Sequence, residues 1–261
     1  MRTAASFVAL WMVWAVVGLA QDQQPSKAKP DDEKQQPTSI PRGEKPQINW
    51  TGDWLFQAQP QGSVPLQPRQ RVWRDQQRKL VIMDGEVCLR EGALELFACP
   101  RNTKEHESVV VVDAIPGVVH AGLEAVGAKA GSPASFDPYR PATGTRIAVI
   151  VAWADENGKR HAVPAQRWVK NTQTGKPMER NWVFGGSRWV SNEVTGRRSY
   201  LADGGDFICV SNFPSAMLDL PVKSPQENSS LLFEANTEAI PKVGTKVRLI
   251  LMPEALPING E

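Results

Sequence analysis

Two short segments and three scattered cysteines carry much of the reactive chemistry of this 261-residue chain. Glu105-His106-Glu107 sets an imidazole between two carboxylates, and Asp203-Gly204-Gly205-Asp206 sets two carboxylates across a glycine pair. Cys88, Cys99 and Cys209 are the only cysteines, and His106, His120 and His161 the only histidines. Imidazole and carboxylate both ligate divalent cations. His106, Glu107, His120, Asp203 and Asp206 therefore form a candidate metal set, suited to a metal-dependent hydrolase or another metal-site enzyme. The spacing does not select that chemistry. A zincin helix needs its two histidines one turn apart, and no such pair occurs. A calcium loop needs roughly six to eight oxygen ligands, so the plainest reading of the Asp-Gly-Gly-Asp run is a turn with glycines at positive φ. No G-x-S-x-G nucleophile elbow occurs, and no catalytic residue is assigned.

A second set points to binding. Gly185-Gly186-Ser187 follows the aromatic run Trp182-Val183-Phe184 and has no P-loop lysine. Trp182, Gly185, Gly186, Asp203 and Asp206 are the candidate rim of a binding site.

The thiols read as structural. Cys88 and Cys99 flank a turn expected near Gly92. A hairpin there would hold their Cα atoms within the roughly 7 Å that a disulfide requires, so a Cys88–Cys99 bridge is expected. Pairing of Cys209 with either partner stays open. Otherwise Cys209, in Phe-Ile-Cys-Val, reads as a buried thiol. No C-x-x-C spacing supports thioredoxin-like redox chemistry, nor the cysteine run of a bacterial ferredoxin. Three thiolates would hold zinc only with a fourth ligand such as His106. No cofactor is implied.

The elements that must position these groups are mostly strands. Leu80–Met83 is followed by Asp84-Gly85, a strong hairpin signal, and then by Glu86–Leu89. Leu94–Cys99, Ser108–Val112, Thr145–Trp153, Lys159–Val163, Trp182–Phe184, Phe207–Val210, Leu231–Glu234 and Lys246–Met252 are further apolar or β-branched runs. Val119, Leu123 and Val126 fall at helical spacing, and Gly127 is a natural stop. Pro164–Val169 and Ser215–Leu218 suggest single helical turns. The expected class is α+β: a mixed or mainly antiparallel sheet, one principal helix and several short helical turns. Asn49–Phe56, with two tryptophans around Gly52-Asp53, marks the entry to folded structure.

The chain ends speak to compartment. Arg2 precedes an apolar run, Ala4–Ala20, that closes on Gly18 and Ala20, the pattern of a cleaved signal peptide over 1–20. Residues 21–45 are rich in Gln, Pro, Lys and Asp and read as a disordered tether. An N-terminal extension over 46–84 is expected to pack on the main domain at 85–252, with a tail at 253–261. Export, to the periplasm or beyond, and no membrane span after cleavage are the expectations. The formal net charge is +2 and no long basic tract occurs, which argues against nucleic acid as a partner.

Five segments carry a resemblance: VCLREGALELFACPRNTKEHESVVVV at 87–112, HAGLEAVGAKAG at 120–131, VPAQRWVKNTQTGKPMERNWVFGGS at 163–187, YLADGGDFICVSNFPSAMLDLPV at 200–222 and LLFEANTEAIPKVGTKVRLIL at 231–251. Together they resemble the YdjY-like domain of exported bacterial proteins, notably from planctomycetes, over roughly 85–252. The resemblance implies a bacterial envelope location and a single domain, and it carries over no catalytic residue. The expected function is an exported, envelope-associated binding or structural module whose partner is an envelope protein or a small ligand.

Overall fold

The computed structural model describes residues 48–225 and 231–254. The expected signal peptide, the tether and residues 255–261 of the tail lie outside the described residues. The described residues from Ile48 onward belong to one compact unit.

Eleven strands make the main sheet, and most of them close into a ring. Leu80–Val87 pairs with Lys246–Pro253, which pairs with Arg146–Ala154. The ring continues through Trp182–Phe184, Leu218–Asp219, Ile208–Cys209, Leu96–Pro100 and Ser108–Val112, and returns to Leu80–Val87. Two of these pairings are parallel, Ile208–Cys209 with Leu218–Asp219 and Leu96–Pro100 with Ser108–Val112. The rest are antiparallel. Val64–Pro65, Val72–Asp75 and Arg160–Pro164 extend the sheet outside the ring. The α+β expectation holds: among the described residues, one α-helix, Pro116–Ala125, and three short 3₁₀ turns accompany the strands.

Period-2 alternation assigns the two faces of the sheet. Along Lys246–Pro253, Val247, Leu249 and Leu251 enter the main core, while Ile250 and Met252 point to a second cluster. Leu55, Trp73, Leu80 and Ile82 complete that cluster, and Ile48, Trp50, Trp54 and Phe56 cover it. The aromatic entry segment thus packs against the outer face of the longest strands.

The Asp84-Gly85 signal is overturned. Both residues lie inside the Leu80–Val87 strand, and the turn comes earlier, at residues 76–79, with Lys79 at φ 57°. Gly85 serves close approach instead. A Cβ there would sit 2.7 Å from the carbonyl oxygen of Val111, so only glycine lets Ser108–Val112 pair at that point. The strand forks here. Its first half pairs with Val72–Asp75 and its second half with Ser108–Val112.

The same topology removes the expected disulfide. Leu80–Val87 and Leu96–Pro100 are not a hairpin, because Ser108–Val112 lies between them. Cys88 and Cys99 stand on opposite sides of that strand, two interstrand spacings of about 4.8 Å apart. Cys88, Cys99 and Cys209 are all free thiols. The Cys88 Sγ donates to the Ser108 carbonyl at 3.1 Å. Burial, then the nearby Cys99, pushes the Cys88 thiol up to about 12.

The helix packs Val119, Leu123 and Val126 into the main core and stops at Gly127, φ 97°. Gly122 lets the Leu66 side chain pack close to the helix, since a Cβ there would meet the end of that side chain at 2.5 Å and push it aside. Ser215–Met217 forms no helix and leads as a bend into Leu218–Asp219.

Candidate functional site

The Asp-Gly-Gly-Asp run sends its two carboxylates in different directions. Leu201–Gly204 is a 3₁₀ turn, and Gly205 follows at φ 137°. Any side chain at Gly205 would strike the Lys104 aliphatic stem, 2.9 Å from a Cβ. The glycine pair therefore permits both a reversal and a close approach, and Asp203 and Asp206 emerge on separate sides.

Asp206 enters a cluster around Lys104. The Lys104 ammonium lies 3.1 Å from Asp206, 3.2 Å from Glu107 and 3.9 Å from Glu95. Its charge also sits 4.4 Å from the Phe213 ring centroid. Ser215 donates a short hydrogen bond to the other Asp206 oxygen. Burial opposes the Lys104 charge, but attraction to Asp206 and Glu107 outweighs it and holds the pKa above the ordinary lysine value. Burial, then the adjacent Glu107 charge, pushes the Glu95 carboxyl up against the pull of Lys104. One cation thus serves three carboxylates.

Asp203 serves the helix. Its Oδ1 accepts the Gly117 N–H at 2.9 Å, capping a helix whose own N-cap position, Ile115, has no capping side chain. A carboxylate at a helix N-terminus is favoured by the helix dipole. Burial raises the Asp203 pKa in spite of that bond.

His120 lies on the same side as Asp203. Tyr200 donates its hydroxyl to the Gly186 carbonyl at 3.0 Å, and the His120 Nδ1 lies 2.8 Å from the same hydroxyl. With the phenol proton committed to Gly186, Nδ1–H is the donor. The other ring nitrogen lies 3.4 Å from Glu124. Burial, then the Asp203 charge, raises the Tyr200 pKa. The hydroxyl of Ser187 donates to the Ser215 carbonyl at 2.5 Å and accepts the Ala202 N–H at 3.1 Å. These bonds stitch loops to the ring of strands.

The residues proposed for a metal are therefore divided. Glu107 and Asp206 meet at Lys104, whose ammonium occupies the space between them. His106 turns outward, 77% exposed and 3.8 Å from Glu107. His120 and Asp203 belong to the helix side. Among the described residues, no group of three or more His, Cys, Asp or Glu is placed to hold a metal ion. The expected rim is also divided. Trp182 is fully buried and donates to the Cys209 carbonyl at 2.7 Å, and Gly185 and Gly186 are buried. Glu95 and Lys104 were not singled out in the sequence, because neither stands in a motif with its partners.

A separate concavity lies elsewhere, where the Leu80–Val87 strand forks. It is a groove of ≈ 1020 Å³. Ala152 and Ala154 on its floor leave room, and Phe56 and Trp153 border it. Cross-strand ion pairs cross it: Arg248 meets Asp84 at 2.7 Å and Lys246 meets Glu86, both in direct register. Asp84 also receives Arg71. Arg101 meets Asp113 at 2.6 Å, Lys242 meets Glu156 at 2.6 Å, and His161 meets Asp155 at 2.9 Å. Arg248 and Arg71 both lie over Trp73, at 5.2 and 5.4 Å, and Arg248 also donates to the Leu55 and Gln57 carbonyls. The signal was present in the sequence as alternate acids at 84 and 86 and alternate bases at 246 and 248.

A ring of strands with one packed helix, a lysine–carboxylate cluster and a charge-paired groove define a strand-built α+β domain. Its sequence narrows the class further. The chain belongs to the YdjY domain family, whose model matches residues 72–252. The match takes in the Val72–Asp75 strand, earlier placed in an N-terminal extension. No curated protein and no solved structure matches the chain.

Proposed function

We propose that this chain is an exported, envelope-associated binding module that holds its ligand in the groove at the strand fork. The observation that carries this reading is the groove itself, ≈ 1020 Å³ and lined by cations that each have a carboxylate partner. A polyionic ligand would have to break those pairs. A neutral chain rich in hydroxyl and amide groups accepts from the cations and donates to the carboxylates without breaking them. A neutral oligosaccharide is the ligand class that fits. Support for export comes from the Arg2–Ala20 pattern and the family resemblance. The metal-enzyme reading keeps no supporting arrangement, since its residues fall into two separate clusters.

Calorimetric titration of the protein with chitohexaose, cellohexaose and inorganic polyphosphate tests the ligand class. A hexasaccharide is expected to bind with little salt dependence, and exposed Ala154→Trp, which fills the floor without removing an ion pair, is expected to abolish the binding. Binding of polyphosphate alone, lost at high salt, or no binding of either hexasaccharide, would overturn the proposal.

A further inference from the structure

Trp189–Ser191 and Arg198–Tyr200 form a two-stranded hairpin that shares no strand with the main sheet. Every residue from Arg188 to Ser199 is exposed. An isolated ribbon of this kind has no buried face of its own to hold it together. Its turn is nonetheless tightly organised. The Asn192 side chain accepts the N–H groups of Val194 at 3.0 Å and Thr195 at 2.8 Å, and Asn192 bonds Arg197 and Gly196 through its backbone. Gly196 takes the positive φ, 66°, that closes the turn. At the base, Tyr200 is buried and Trp189 packs on it, ring centroids 4.9 Å apart.

What the ribbon presents is unusual for this molecule. Val194 at the tip is 94% exposed and Trp189 is 51% exposed. Arg188, Arg197 and Arg198 stand against a single acid, Glu193. The groove cations all have carboxylate partners. Among the described residues these three arginines have none, and Arg198 lies over the Trp189 ring at 5.2 Å.

We infer that this hairpin docks the domain on an anionic phospholipid surface. The inference is independent of the groove and its ligand. An apolar tip, a half-exposed tryptophan and unpaired guanidinium groups match the acyl boundary, the interface and the phosphate layer of a bilayer. The ribbon projects and has no concave wall to enclose a partner's side chains. A protein with an acidic groove would satisfy the arginines but not the bare Val194 tip, which fits lipid better.

The test places an environment-sensitive fluorophore at Val194→Cys in the full chain, with the unsubstituted chain as the labelling control. A label at this one position reports the hairpin whatever the N-terminal segment does. On vesicles of phosphatidylcholine with one part in three phosphatidylglycerol, the label is expected to shift to the blue. On phosphatidylcholine alone it is not. Adding Arg197→Gln and Arg198→Gln is expected to weaken the response by about tenfold or more, on the basis of the attraction of each cation to the surface. An unshifted label on protein that sediments with the anionic vesicles would overturn the inference. So would an equal shift on both vesicle types, or a shift on polyglutamate but not on lipid.

Discussion

The Lys104 cluster and the fork groove are built from the same side chains with opposite bookkeeping. In the groove, cations and carboxylates alternate across strands in direct register, and each finds a partner. At Lys104, one ammonium stands among Glu95, Glu107 and Asp206. The difference teaches that the arrangement of charge, more than its amount, decides what depends on each residue. A groove cation is one of several, and Lys246 and Lys242 stand largely in water while Arg248 is buried. Lys104 is the sole cation of a partly buried cluster, and its loss has no substitute.

The sharpest way to break the contrast is Lys104→Met. Three carboxylates would be left close together, and the loss of stability at pH 7 is expected to be about 3 kcal/mol. Denaturant midpoints at neutral and acid pH check it, because the deficit should shrink as the carboxylates take up protons. Glu95→Gln tests the same cluster with the opposite sign. Burial and the Glu107 charge raise the folded Glu95 pKa above its unfolded value. The favourable contribution of the protonated group is present at low pH and is lost as pH rises through the folded pKa. Removing the charge should therefore raise Tm at pH 7, by no more than about 3 °C, and leave it unchanged below the ordinary carboxylate range. Lys246→Gln in the groove carries the smallest effect. Lys246 is 79% exposed, and its loss is expected to cost less than about 1 kcal/mol, vanishing at high salt. A loss as large as that of Lys104→Met would erase the contrast.

Much of the fold was legible because strand runs such as Arg146–Ala154 and Ser108–Val112 announce themselves by β-branched residues. The helix was legible from Val119, Leu123 and Val126 and from the Gly127 stop. Gly85 misled because a glycine required by close approach reads the same as one required by a turn. The disulfide misled because adjacency in sequence says nothing of a strand, Ser108–Val112, that inserts between neighbours from further along the chain. The Lys104 cluster was half legible: Glu107 and Asp206 drew attention as carboxylates, but Glu95, Lys104 and Asp206 come from separate segments that only the ring brings together. The Trp189–Tyr200 hairpin was missed because strands with no buried face show no alternation.

One feature of the ring bears on how the domain assembles. Lys246–Pro253 lies between Leu80–Val87 and Arg146–Ala154, far earlier in the chain. During synthesis, those two long strands are made well before the strand that joins them, so each keeps an open edge of unpaired N–H and C=O groups. Closure then requires contacts between distant parts of the chain, a topology that folds slowly and exposes sticky intermediates. The nascent domain is consequently most prone to aggregate in the interval before residue 246 emerges, and a chaperone that shields strand edges would act in that interval.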